Sequence, residues 1–143
     1  MATLNALLRD KVLLLDGGMG TQIFARKPTV EDYGGAALEG CVDLLTERRP
    51  QWIREIHASY FQAGADAVET NTFGANPLVL GEFGLADKAY DLNVQAASLA
   101  QEVARSFDRP RFVIGSVGPG TKLLTLGHVG YAELLASYRA QMD

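Results

Sequence analysis

The chain has 143 residues, 48% of them apolar and 21% charged, with a net charge of −4, a composition that supports one globular domain with an ordinary core. The 13 Lys and Arg form no basic stripe with interleaved aromatics, which leaves a nucleic-acid partner without support. The longest aliphatic run, Val12–Leu15, falls far short of the ~20 residues of a membrane span, and no secretory pattern opens the chain, so a soluble cytoplasmic protein is expected.

In chain order, Val12-Leu13-Leu14-Leu15 is a short apolar run that stops at Asp16-Gly17-Gly18. A run bounded in this way predicts a strand over Val12–Asp16, buried on both faces. Thr21–Lys27 is a helical candidate interrupted by Pro28, and Thr29–Glu39 has no clear period and predicts a loop. Pro50 opens a helix whose residues Trp52, Ile53, Ile56, Tyr60 and Ala63 share helical spacing, with Gly64 as its stop. A second strand is predicted over Ala67–Asn71. Leu85, Ala89, Leu92, Ala96, Leu99, Val103 and Phe107 step by three or four residues and predict a helix over Ala86–Phe107. Phe112–Val117 is the third predicted strand. Tyr131, Leu134, Leu135, Tyr138 and Met142 mark the face of a last helix. Strands that alternate with helices imply parallel pairing through right-handed crossovers.

In such folds, chemistry collects at the C-terminal ends of the strands. All three predicted ends are polar or glycine-rich: Asp16–Gly20, Glu69–Thr72 and Ser116–Gly120. Asp16 suits either a ligand for a cation such as an α-amine, or a cap for the following turn and helix. Gly17 and Gly18 permit a close backbone approach, or simply a tight turn. Alternation sends Thr70 and Thr72 one way, and Glu69 and Asn71 the other. Two phosphate motifs fail: Gly17–Gly20 lacks the dinucleotide-binding glycine order, and Thr121 stands where a P-loop needs lysine. His57, on a helix, and His128, in a loop, are isolated from other ligand types and read as structural or solvated. Cys41, the only cysteine, reads as a partly buried, inert loop thiol.

These strand ends also carry a resemblance. Leu14-Leu15-Asp16-Gly17-Gly18-Met19-Gly20-Thr21-Gln22 is similar to the opening signature of the homocysteine S-methyltransferases. The stretch from Tyr60 to Phe73, which contains Gly64-Ala65-Asp66 and Glu69-Thr70-Asn71-Thr72, resembles their second-strand signature. Gly115–Leu123, with Thr125-Leu126-Gly127-His128, resembles the third-strand loop of the family's bacterial cobalamin-dependent methionine synthase branch. The motifs run in the family's order over nearly the whole chain.

The resemblance implies the N-terminal part, about half, of a (β/α)8 barrel across residues 1–143, with parallel strands in order 1-2-3. It implies a homocysteine site at the strand ends in which Asp16, Gly17, Thr70 and Asn71 bind substrate. It also implies methyl transfer to a zinc-bound homocysteine thiolate, with methylcobalamin, carried on another module, as the donor. The family's zinc ligands are expected beyond residue 143, so this chain is expected to hold no metal, to be inactive alone, and to partner the remaining half of the barrel and cobalamin and folate modules. A half-barrel with open edges is further expected to be marginally stable. Two departures stand out: Gly40-Cys41-Val42 replaces the usual Gly-Cys-Asn, and Leu124 stands where proline is common. An amino-acid-binding half-barrel without catalysis, and an unrelated open α/β domain that binds a small anion, are the competing readings; strand order separates the last from a barrel.

Overall fold

A computed structural model of the chain describes residues 4–142. Helix α1 (Leu4–Asp10) buries none of its side chains. The predicted first strand does not form. Leu15 makes one isolated parallel bridge to Ala67, and Val12, Leu14 and Leu15 are 85%, 59% and 53% exposed rather than buried on both faces. The backbone contact is confined to a few bonds, among them Asp16 N–H to the Ala67 carbonyl (3.1 Å) and Ala67 N–H to the Leu14 carbonyl (3.2 Å). The Asp66 carboxylate accepts from Leu14 N–H and from Lys11 Nζ, so a side chain holds the approach to the bridge where a ladder was expected.

Helix α2 (Met19–Ala25) ends before Lys27, a non-glycine residue at φ 53° that turns the chain ahead of Pro28. The predicted loop after it contains a short helix, α3 (Val30–Tyr33). Asp32 Oδ2 accepts from Thr29 N–H (2.6 Å) and from the Thr29 hydroxyl (3.1 Å), a Thr-x-x-Asp cap that apolar periodicity could not reveal. Helix α4 (Leu45–Arg48) leads into α5 (Pro50–Ala63). Pro50 occupies the first turn of α5, and Gly64, at φ 113°, closes it. The buried face is Ile53, Ile56, His57 and Phe61. Ala63 is exposed, so the face is rotated from the one the spacing picks out. Trp52 instead packs its ring against the guanidinium groups of Arg26 and Arg49.

Strand β1 (Ala67–Glu69) is followed by α6 (Pro77–Gly81), whose N-cap Asn76 accepts from the amides of Leu78 and Val79. Helix α7 (Ala89–Arg105) matches the predicted periodicity, with a 3-10 turn at Ala86–Lys88 in place of its first turn. Strand β2 (Phe112–Ile114) pairs in parallel with β1, Ala67 opposite Phe112 and Glu69 opposite Ile114. The two strands are shorter than predicted. Thr70 N–H makes the last rung to the Ile114 carbonyl, and Thr72 N–H then folds back onto the Thr70 carbonyl.

Helix α8 (Tyr131–Met142) corrects its predicted apolar face. It buries Ser137 and Gln141, while Tyr131 and Met142 are 71% and 63% exposed. The cause is hydrogen bonding: Gln141 Nε2 donates to the Thr72 carbonyl, and the Ser137 hydroxyl donates to Asn76 Oδ1. The fold is therefore α/β with parallel pairing. Its main core joins α5, α7 and β1 through Ile53, Ile56, Phe61, Val68, Leu99 and Val103. A second core joins Cys41, Leu44, Leu80 and Leu92. Among the described residues no helix is long and apolar enough to cross a membrane.

His57 is fully buried, and among the described residues neither ring nitrogen has a hydrogen-bond partner. Burial pushes its pKa down from 6.5 to about 4, because the charged ring has no water to solvate it. A base with a depressed folded pKa destabilises the fold as pH falls. Stability from this residue is complete above about pH 6.5 and declines toward pH 4, by up to ~3 kcal/mol. Denaturant titrations across that window should show a shallower loss for His57→Leu than for the parent chain, and equal slopes would contradict the assignment.

Candidate functional site

The ends of β1 and β2 and the Asp16–Gly20 loop surround a cavity of about 630 Å³. The sequence-predicted residues Asp16, Gly17, Thr70 and Asn71 all line it. Their side chains do different things.

Asp16 forms the wall. Its Oδ2 accepts from Glu69 N–H at 3.0 Å, which fixes the carboxylate beside the end of β1. Partial burial and, less strongly, the charge of Glu69 raise its pKa, while the Glu69 amide works the other way. Gly17 sits close against the α5 aromatic: a Cβ there would lie 3.1 Å from the Tyr60 hydroxyl, so a side chain would require the Tyr60 ring to give by a few tenths of an ångström.

Thr70 and Asn71 are held inward. The Thr72 hydroxyl donates to the Ser116 carbonyl (2.8 Å). Its single proton is thereby committed, so in the 2.6 Å contact between Thr70 Oγ1 and Thr72 Oγ1 Thr70 is the donor. Thr70 Oγ1 also accepts from Ser116 N–H at 3.0 Å. Its hydroxyl therefore has no proton left to offer a ligand. Asn71 donates through Nδ2 to the Val42 carbonyl (2.9 Å) and to Thr46 Oγ1 (3.1 Å), tying α4 and the turn before it to the floor.

Several lining residues lie outside the four sequence-predicted substrate contacts. Asp43 accepts from Gly74 N–H at 2.9 Å, and burial raises its pKa. Ser116 donates from its hydroxyl to Glu69 Oε2 at 2.8 Å. Phe73 stands at the mouth, 61% exposed, and its carbonyl accepts from Gly118 N–H. Glu82 is bound by Thr121 and Lys122, which links the end of α6 to the loop after β2. Strand alternation, which separates Glu69 from Thr70, was the one sequence signal that could have favoured Glu69 over its neighbour.

Cys41 also lines the cavity. It is 2% exposed, more buried than expected, and burial pushes its thiol up to about 11. His128 is exposed, and His57 lies in the core. Among the described residues no three His, Cys, Asp or Glu side chains are grouped so as to hold a metal ion.

The homocysteine S-methyltransferase family model matches residues 13–143. The chain belongs to the homocysteine S-methyltransferase family. Two curated members are close in sequence. The methionine synthase of Mycobacterium tuberculosis (strain ATCC 25618 / H37Rv) is 48% identical over 134 residues, which is 92% of this chain and 11% of that protein. The methionine synthase of Mycobacterium leprae (strain TN) is 46% identical over the same length, with the same shares. Among solved structures, the metallated form of the homocysteine methyltransferase MmuM from Escherichia coli superposes with a TM-score of 0.62 and 28% identity, covering 93% of this chain and 43% of that one. Its oxidized form gives 0.63 and 28%, with 93% and 42% covered. The chain thus spans about a tenth of the curated relatives and under half of the solved ones.

Gly118 provides a test of how closely the cavity mouth is packed. A Cβ at this position would lie 2.6 Å from both the Phe73 carbonyl oxygen and its ring, so the neighbouring backbone would have to move. Gly118→Ala is expected to cost ~1–3 kcal/mol, as overpacking does. Chemical denaturation would measure the cost, and a change under ~0.5 kcal/mol, ordinary for a surface site, would show that the loop yields freely.

Proposed function

We propose that this chain is the amino-acid-gripping part of a methionine synthase's homocysteine barrel, and that its substrate is homocysteine. The observation that carries the proposal is the Asp16 carboxylate. It is fixed at the wall of a cavity that, among the described residues, no Lys, Arg or His side chain lines. A carboxylate so placed suits the α-ammonium of an amino acid, and Gly17, beside it, offers backbone at close approach. In this reading Thr70 and Asn71 shape the floor through their internal bonds, and Thr70 meets substrate by contact or as an acceptor.

The proposal includes the N-terminal half of a (β/α)8 barrel with strands in order 1-2-3. Ala67 supports that order, since it bridges to Leu15 and pairs with Phe112. An open α/β sheet that winds in both directions from its first strand would place that strand inside the sheet. The partners proposed are the remaining half of the barrel and the cobalamin and folate modules of a longer enzyme.

Zinc and methylcobalamin belong to the reaction that the resemblance implies. The residues present do not fit the zinc: among the described residues no three His, Cys, Asp or Glu side chains are grouped to hold a metal ion, and the one thiol, Cys41, is buried apart from any such group. Within the chain the supported chemistry is binding and orientation of the amino-acid end, and the chain alone is proposed to be inactive.

Asp16→Asn keeps the side-chain shape and an acceptor for Glu69 N–H but removes the charge. It is expected to weaken homocysteine binding by ~1.5–3 kcal/mol, roughly tenfold to a hundredfold. Titration calorimetry on the 143-residue chain and its variant measures the change, and an unaltered affinity would remove Asp16 from the site.

A further inference from the structure

Among the described residues four carboxylates line the cavity: Asp16, Asp43, Glu69 and Glu82. Two of them already have fixed duties. Asp43 is buried against the Gly74 amide, and Glu82 is bound by Lys122 and Thr121. Asp16 and Glu69 remain, joined through the Glu69 backbone amide. Glu69 Oε2 is held by the Ser116 hydroxyl at 2.8 Å, while Oε1 accepts no hydrogen bond among the described residues.

We infer that Glu69 is the second carboxylate that grips the substrate's ammonium group, and that Ser116 is the residue that aims it. The inference rests on the reading of the cavity as a homocysteine site. An ammonium group carries three donors that need acceptors when it leaves water, and Asp16, with one oxygen bound to the Glu69 amide, cannot serve them all. Glu69 adds a free oxygen on the same wall. The pair also repels itself when the cavity holds no cation, and a cation between the two carboxylates turns that repulsion into attraction. Homocysteine is thereby favoured over a thiol of the same length that lacks the amine, because the latter leaves the repulsion in place. Ser116 matters because a glutamate at an open strand end otherwise samples several rotamers, and ordering it on binding carries an entropic cost.

The test compares L-homocysteine with 4-mercaptobutanoate, the same skeleton without the amine. Binding of each is measured on the 143-residue chain and on Glu69→Gln, Ser116→Ala and Asp16→Asn, with thermal melts confirming that each variant is folded. Glu69→Gln is expected to weaken homocysteine about tenfold and to leave 4-mercaptobutanoate unchanged or tighter, so that the preference collapses. Ser116→Ala, the second variant, should shift the preference in the same direction by about threefold, the share of a lost aiming contact. A purely structural role for Glu69 would weaken both ligands together and leave the preference intact. If Glu69→Gln and Ser116→Ala keep the parent preference while Asp16→Asn destroys it, the role of Glu69 is overturned and the site reading stands. A parent chain with no preference for homocysteine, absence of binding included, overturns both.

Discussion

The hydroxyl of Thr72 donates to the carbonyl of Ser116, and the form of the cavity depends on that bond. It directs the Thr70 proton toward Thr72 and leaves Thr70 Oγ1 to receive the Ser116 amide. Three residues that follow two short parallel strands are thus locked where the backbone ladder has ended. The lock fixes Ser116, whose hydroxyl reaches Glu69, and Glu69 in turn presents its amide to Asp16. A chain of hydrogen bonds therefore runs from the far strand to the first glycine-rich loop. Each link is short and several are shielded from water, conditions under which hydrogen bonds reinforce one another and an unmade one is costly.

The large apolar helices were legible in the sequence because their periodicity reflects packing alone. Ala89–Arg105 buries the residues that its spacing predicts. Elements governed by polar contacts were not. Helix α8 turns Ser137 and Gln141 inward because Asn76 and the Thr72 carbonyl wait for them, and no apolar pattern encodes that. Val12–Leu15 carries the composition of a buried strand, yet composition states a capacity for pairing and not the presence of partners. Along that segment the described structure supplies one bridge.

The candidate site was legible at the level of place more than of role. The glycine-rich and polar strand ends surround one cavity, and all four residues drawn from the motifs line it. What the motifs could not give is the direction of each proton. Thr70 is donor to Thr72 and acceptor from Ser116, and Asn71 is bound to the Val42 carbonyl and Thr46. Both are committed to internal bonds that hold the floor of the cavity. Asp43 went unnoticed because its partner, the Gly74 amide, lies 31 positions away in the chain, and a backbone donor leaves no trace in residue type. Family membership explains why the motifs occur together, and the hydrogen-bond network explains what each residue does.

The burial of Cys41 has a practical side. It is the only thiol in the chain, it is 2% exposed, and its pKa of about 11 keeps almost all of it protonated near neutral pH. Alkylating reagents and peroxide react with thiolates that they can reach, so the folded protein shields this sulfur on both counts. Each modification event therefore records an opening of the segment around Gly40–Thr46. Because there is a single sulfur, the count is one label per molecule, and trapping kinetics under native conditions follow the breathing of this wall of the cavity without any added probe.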